Sequence, residues 1–254
     1  MKLTFLGTGT STGVPQIGCG CEVCTSADPR EKRLRASAMV EIAPGRNLLI
    51  DCGPDFRQQM LRAGAPALSA LLITHSHYDH VGGIDDMRPY CHPEPFRVYC
   101  REDVARDLRE RVPYCFRKHL YPGVPTFDIH MIDHDHDFII DGTTITPLPV
   151  MHARLPIIGF RIGNLAYITD CSEMPRSTLD KICGIDTLVI NALRREPHMS
   201  HMNLRQTLEV ISSAAPRQAF LTHLSHDMGL IDDTSRLLPP GVHIATDGMT
   251  VSIP

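Results

Sequence analysis

The chain has 254 residues, 43% of them hydrophobic, and a formal net charge of −4. That length and apolar content suit one domain with a real core, and the acidic balance leaves no general surface for polyanions. No apolar run is long enough to span a membrane, and Met1-Lys2-Leu3-Thr4-Phe5-Leu6 has no signal-peptide pattern, so an intracellular, cytoplasmic protein is expected.

Leu3 to Leu6 is predicted as a strand, followed by the loop Gly7-Thr8-Gly9-Thr10-Ser11-Thr12-Gly13. This loop looks like a phosphate cradle but lacks the Gly-Lys-Ser/Thr ending of a P-loop, so a tight turn beneath a functional site is expected. Next comes Cys19-Gly20-Cys21-Glu22-Val23-Cys24. Three thiols within six residues can wrap one soft cation, and zinc asks for a fourth ligand. His226, three residues beyond His223, offers it. There are nine cysteines, an odd number, in a chain without a leader pattern, so a disulfide framework is not expected. Cys52, Cys91, Cys100, Cys115, Cys171 and Cys183 lie in apolar contexts and are expected in the core.

Leu48-Leu49-Ile50 runs into Asp51-Cys52-Gly53, and Asp55 to Ala63 is predicted as a helix with Phe56, Met60 and Leu61 on one face, ended by Gly64. The strand Leu71-Leu72-Ile73 then leads into Thr74-His75-Ser76-His77-Tyr78-Asp79-His80. His75 and His77 alternate on an extended backbone and can share one side. Asp79 and His80 follow a turn and can face a second point. Such a donor set suits zinc, manganese or iron.

Val104 to Val112 is predicted as a helix. Tyr114 to Tyr121, carrying Arg117, Lys118 and His119, reads as a packed connecting segment, with a phosphate-recognising flap as the other reading. Asp133-His134-Asp135-His136-Asp137 is expected to be a solvated hairpin turn between Ile129–Ile132 and Phe138–Ile140. The apolar runs ending in His152, Asp170 and His223 each close on a polar residue. Ser177 to Ile182 is predicted as a short helix. Asn203 to Ser213 is an amphipathic one, with Leu204, Leu208 and Ile211 on one side and Asn203 as N-cap. His92, His119, His130 and His243 have no partner spacing. Arg154, two residues past His152, is a candidate for contact with a substrate phosphate.

His-x-His-x-Asp-His after an apolar strand resembles the signature of the metallo-β-lactamase superfamily of binuclear metallohydrolases. The Asp51-x-Gly53 motif and the downstream His152, Asp170 and His223 match that family in order. The resemblance implies an α/β fold, the αββα four-layer sandwich, in a single domain over residues 1–254. Its halves would be Met1 to about Asp141 and the remainder. It also implies ligand roles. His75, His77 and His152 would hold one metal. Asp79, His80 and His223 would hold the other, and Asp170 would bridge the two. Asp51 would support the site by hydrogen bonding.

Cys19, Cys21 and Cys24 early in the chain, with His226 late, resemble a narrower branch. Its members include the phosphodiesterase of bacterial phosphonate breakdown and, in part, a pyrroloquinoline-quinone biosynthesis relative. Asp247-Gly248-Met249 and a His just before Asn203 favour the phosphodiesterase side. On this resemblance the activity is hydrolysis of a small cyclic or nucleotide-like phosphodiester by water activated between two divalent metals, zinc or manganese. His201 and Asp79 would be the catalytic residues, with His201 as general acid. His198 is its rival for that role. One structural zinc would sit on Cys19, Cys21, Cys24 and His226, and a homodimer is suggested. Nucleic acid is not an expected partner, because the long basic-and-glycine arm of the tRNA 3′-processing ribonucleases is missing. A thioester hydrolase and a quinone-cofactor binding protein are the remaining alternatives.

Overall fold

In the computed structural model, residues 1–117 and 123–254 are described. Most of the central strands are near-continuous apolar runs buried on both faces, so two sheets are sandwiched and covered. The first sheet is built from β1 (Lys2–Gly7), β2 (Ser37–Ala43), β3 (Arg46–Ile50), β4 (Ala70–Leu72), β5 (Phe96–Cys100) and β6 (Phe127–Met131). The second is built from β7 (Phe138–Ile140), β8 (Thr143–His152), β9 (Leu155–Ile162), β10 (Leu165–Ile168), β11 (Thr187–Asn191), β12 (Gln218–Thr222) and β13 (Val242–Ile244). The last strand, β14 (Thr250–Ser252), returns to pair with β1, giving the orders β14-β1-β2-β3-β4-β5-β6 and β13-β12-β11-β10-β9-β8-β7.

Each sheet begins as antiparallel hairpins and continues as parallel strands. β3 to β6 are parallel, and so are β10 to β13. Between the sheets lie Leu3, Phe5, Leu48, Ile50, Leu72, Phe160, Tyr167, Val189 and Phe220. The alternate residues Leu49, Leu71 and Val98 face outward beneath α2 (Phe56–Arg62) and α4 (Glu102–Arg111). On the other side, Ile168, Leu188, Ile190 and Leu221 lie beneath α5 (Arg176–Ile182) and α6 (Leu204–Ala214). The architecture is the four-layer αββα sandwich. None of the helices among the described residues is long and apolar enough to cross a membrane.

Several local expectations change. Helix α2 buries Phe56, Gln59 and Met60, while Leu61 is 60% exposed. Residues 60 and 61 are about 100° apart on a helix, and the sheet covers only one of them. The segment Asp133–Asp137 is not a hairpin, because β6 pairs with β5 and β7 pairs with β8. It crosses between the edges of the two sheets, tightened by the Asp133 carboxylate accepting from the backbone of Asp135 and His136. The second sheet therefore starts at Phe138, just before the expected boundary near Asp141. Cys183 is exposed, whereas Cys52, Cys91, Cys100, Cys115 and Cys171 are buried, and all nine cysteines are free thiols. His130 stacks on Tyr99 with ring centroids 4.6 Å apart.

Helix α6 has the predicted start. The Asn203 side chain accepts from the Gln206 backbone at 3.0 Å, and the Gln206 side chain accepts from the Asn203 backbone at 3.0 Å, a reciprocal capping box. This start also fixes where residues 198–202 can lie. Replacing Asn203 by Ala should destabilise the folded protein by about 1 kcal/mol. The urea-unfolding midpoint of the metal-loaded protein checks this, and an unchanged midpoint would show that the cap contributes nothing.

Candidate metal centres

The candidate ligands stand where strands end. Asp51 follows β3, and His75 and His77 follow β4. His152 closes β8, Asp170 follows β10 and His223 follows β12. The short helix α3 (Tyr78–Val81) carries Asp79 and His80. Asp51, Asp170 and His223 adopt φ values of 61°, 54° and 55°, in the left-handed region that non-glycine residues avoid. Each turn there swings a side chain across the sheet edge, at a conformational cost that the surroundings must hold. Gly53 is required by close approach, since a Cβ on it would lie 2.1 Å from the carbonyl oxygen of Asp79.

Two groups of donors form. His75, His77, His152 and Asp170 make one, and Asp79, His80, Asp170 and His223 make the other, with the donor atoms of each group within 4.8 Å of one another. Asp170 belongs to both. Its Oδ2 lies 3.2 Å from His75 Nε2 and 3.0 Å from His80 Nε2, and its Oδ1 lies 2.8 Å from His223 Nε2. His201, expected as a catalytic residue, packs against the pair. Its ring stacks on His223 at 5.0 Å and its Nε2 is 3.9 Å from Asp170 Oδ1. His198 stands behind it, 3.4 Å from His201 Nδ1.

Hydrogen bonds behind the rings turn Nε2 inward. His80 Nδ1 donates to Asp51 Oδ2 at 2.7 Å, His152 Nδ1 donates to the Ser200 carbonyl at 2.7 Å, and His75 Nδ1 lies 3.0 Å from Thr74 Oγ1. Thr74 in turn donates its backbone N–H and its hydroxyl to Asp51. This is how ligand imidazoles are usually held, with the second nitrogen fixing tautomer and orientation. Nε2 of His75, His80 and His223 is buried without a hydrogen bond of acceptable geometry. Inward-facing nitrogens without hydrogen bonds, beside buried carboxylates, are what a divalent cation would satisfy, so the donor set fits two ions.

The charges agree. Burial disfavours a charged His80, but the carboxylates of Asp170, Asp51 and Asp79 outweigh it and hold its pKa well above the usual value. Burial opposes protonation of His223 too, yet Asp170 and Asp79 lift its pKa to about 9. Burial would raise Asp170, but His223, His80 and His75 hold it well below the ordinary carboxylate range. Without a metal, protons on the imidazoles supply the positive charge that the carboxylates need. Burial and the His223 imidazole push the His201 pKa down to about 3.

A third group, Cys19, Cys21, Cys24 and His226, lies on the loop around α1 (Glu22–Thr25) and the turn after β12. Cys19 and Cys21 Sγ are 3.4 and 3.3 Å from His226 Nδ1. The Cys24 backbone N–H, then His226, lower the Cys21 pKa to about 6, while burial raises that of Cys24 to about 11. Four S and N donors of this kind suit a closed tetrahedral zinc site.

Other expected residues fall elsewhere. In the glycine-rich loop the N–H groups of Thr8, Gly9 and Thr10 are spent on Asp247, Leu34 and Leu224, so these three are not free to cradle a phosphate. Asp247 also accepts from the Thr8 hydroxyl and the Leu34 N–H, which ties the chain's end under that loop. Arg154 is exposed at the tip of the β8–β9 hairpin. Tyr114 donates to Asp85 at 2.8 Å, whereas Lys118, His119 and Tyr121 lie outside the described residues. Asn191, missed in the sequence, closes β11 and clamps both backbone groups of Cys171, next to Asp170. The available signal was a polar residue ending a buried apolar strand, as at His152 and His223.

The fold and these donor groups are those of a metallo-β-lactamase-type domain. The family model for the beta-lactamase superfamily domain matches residues 46–224, and the chain belongs to that superfamily. A solved structure described as a new diphosphatase from the PhnP family superposes with a TM-score of 0.92 at 36% identity, over 100% of this chain and 98% of that one. Zinc-bound PqqB from Methylobacterium extorquens superposes with a TM-score of 0.81 at 21% identity, covering both chains fully, a likeness of fold. In sequence the chain is 41% identical over all 254 residues to an octanoyltransferase of Porphyromonas gingivalis, and it spans about half (52%) of that protein.

Two tests follow from the charges and the thiols. A basic group whose folded pKa lies above its unfolded value adds stability that is complete below the unfolded pKa and lost as pH rises through the folded one. For His223 that window runs from the ordinary imidazole value of 6.5 to about 9. The Tm of metal-stripped protein should therefore fall across this interval relative to metal-loaded protein. Parallel Tm curves would refute the exchange of protons for metal. Changing Cys19, Cys21 and Cys24 to Ser should lower the metal content, read by mass spectrometry, by about one ion per chain. Unchanged content would remove the thiol site.

Proposed function

We propose that this chain is a phosphodiesterase acting on small cyclic or nucleotide-like diesters, with His201 as general acid. The observation that carries it is the position of His201, whose Nε2 faces the shared Asp170 carboxylate at 3.9 Å beside both donor groups. A thiolate leaves readily without such a group, whereas an alkoxide leaves poorly and benefits from a positioned acid. His75, His77 and His152 would hold one ion, and Asp79, His80 and His223 the other, with Asp170 shared. Zinc and manganese both suit these donors, and zinc suits the thiol site. When bound, two such ions lower the pKa of a water toward neutral and offset charge developing on phosphoryl oxygens.

The protein's own residues do the rest. In the free protein His201 is neutral at pH 7. An anionic phosphodiester placed beside the ring favours its protonated form. The proton on Nε2 then passes to the departing alkoxide. The His223 ring stacks on the His201 ring, and the His152 ring meets it edge-on.

A second reading, hydrolysis of a diphosphate, is favoured by the 36% identity to the PhnP-family diphosphatase. Metal-replete protein should be assayed on bis-p-nitrophenyl phosphate, a 2′,3′-cyclic nucleotide and a dinucleotide diphosphate. Turnover of the diesters supports the first reading, turnover of the diphosphate alone supports the second, and turnover only of a thioester overturns both. His201→Ala should keep its metals and lose about 10²–10⁴-fold in rate on alkyl diesters. An unchanged alkyl rate, or lost metal, would refute its role as acid.

A further inference from the structure

Ser200 touches both His152 and His201 through different atoms. Its carbonyl accepts from His152 Nδ1 at 2.7 Å, and its hydroxyl lies 3.0 Å from His201 Nδ1 and 3.3 Å from His198 Nδ1. The residue is half-buried at the end of the loop that α6 pins through Asn203. The Met202 N–H donates to the Cys171 carbonyl, and the Leu193 N–H donates to the Met202 carbonyl, so the loop's backbone is held from both sides.

We infer that Ser200 is the positioning residue that sets the tautomers of both rings and so decides what the proposed site presents to a substrate. This inference rests on the proposed role of His201. The reasoning is an account of hydrogens. His198 Nδ1 already accepts from the Ser200 backbone N–H at 3.3 Å. Being an acceptor, it has no proton to give to His201 Nδ1. The Ser200 hydroxyl is then the donor within reach of that nitrogen. On the other side of the ring, the Asp170 carboxylate at 3.9 Å favours an N–H at Nε2 over a lone pair. Both sides therefore ask for the same tautomer, with Nδ1 accepting and Nε2–H facing the site.

A hydroxyl suits this position because it rotates. It donates to Nδ1 of the neutral ring, and it accepts from Nδ1 once the ring carries a second proton. The ring therefore need not move between its two states. The carbonyl of the same residue does the complementary task for His152. It binds Nδ1–H and leaves Nε2 as the unprotonated nitrogen a metal requires.

The two contacts separate by mutation, since Ser200→Ala removes the hydroxyl and keeps the carbonyl. Metal content by mass spectrometry should be unchanged in Ser200→Ala. The rate on an alkyl phosphodiester should fall about 10–100-fold, and by a smaller factor on a p-nitrophenyl diester, whose leaving group needs less help. Ser200→Thr should restore most of the alkyl rate. Nitrogen-15 NMR of the zinc-loaded protein should find His201 protonated at Nε2 in the parent and a mixture of tautomers in Ser200→Ala. Lost metal, or an equal fall on both substrates, would show a structural role only and overturn the inference. So would an unchanged tautomer. If the tautomer changes as expected while His201→Ala shows no leaving-group dependence, the positioning by Ser200 stands and the acid role of His201 fails.

Discussion

Everything at this site depends on the carboxylate of Asp170, buried and shared between two sets of imidazoles. A buried carboxylate is costly unless positive charge meets it. Here the charge comes from protons on His80 and His223 or from divalent metal, and the two are interchangeable in sign but not in strength. That one constraint explains why the surrounding rings turn Nε2 inward. It also explains why Asp51, Thr74 and Ser200 are spent on holding the opposite nitrogens.

The sandwich exists, in functional terms, to bring Asp170 its partners. They come from both sheets and are far apart along the chain. Parallel strands align their carboxyl ends at one edge, where loops can converge without burying unpaired backbone. The price is local: left-handed backbone at Asp51, Asp170 and His223, and a glycine at position 53 so that two loops can touch. The four-residue stretch His223 to His226 serves two candidate metal-binding groups at once. Leu224 is bonded in both directions to the glycine-rich loop and the Ser225 N–H to the Leu193 carbonyl, so the thiol cluster and the His/Asp cluster share one support.

The superfamily fold by itself is compatible with many hydrolytic reactions. What narrows the reading is the side of the site away from the metals. There a loop running from β11 to α6 carries His198, Ser200 and His201, and the capping box at Asn203 sets its end point. In the proposed function, proton supply to a leaving group comes from this loop. The similarity to half of an octanoyltransferase carries no such detail.

Much of the site was legible in the sequence because its donors follow a local rule. A polar residue that ends a buried apolar strand is exposed to whatever gathers at the sheet edge, and His75, His152, Asp170 and His223 all obey it. The same rule applied to Asn191 and was passed over, because an amide has no metal chemistry to advertise it. Helix starts and stops at Asn203 and Gly64 were legible for the same local reason: caps and turns involve residues three or four apart. What tertiary structure decided lies beyond that range. It set which of His198 and His201 faces Asp170, and it gave Ser200 two tasks. It made residues 133–137 a crossover between sheets, left Leu61 in solvent, and sent β14 back to β1. Sequence patterning reports the periodicity of one element and the chemistry of its ends. Contacts between residues as distant as Thr8 and Asp247, or Cys21 and His226, depend on how whole sheets stack, and no local pattern encodes that.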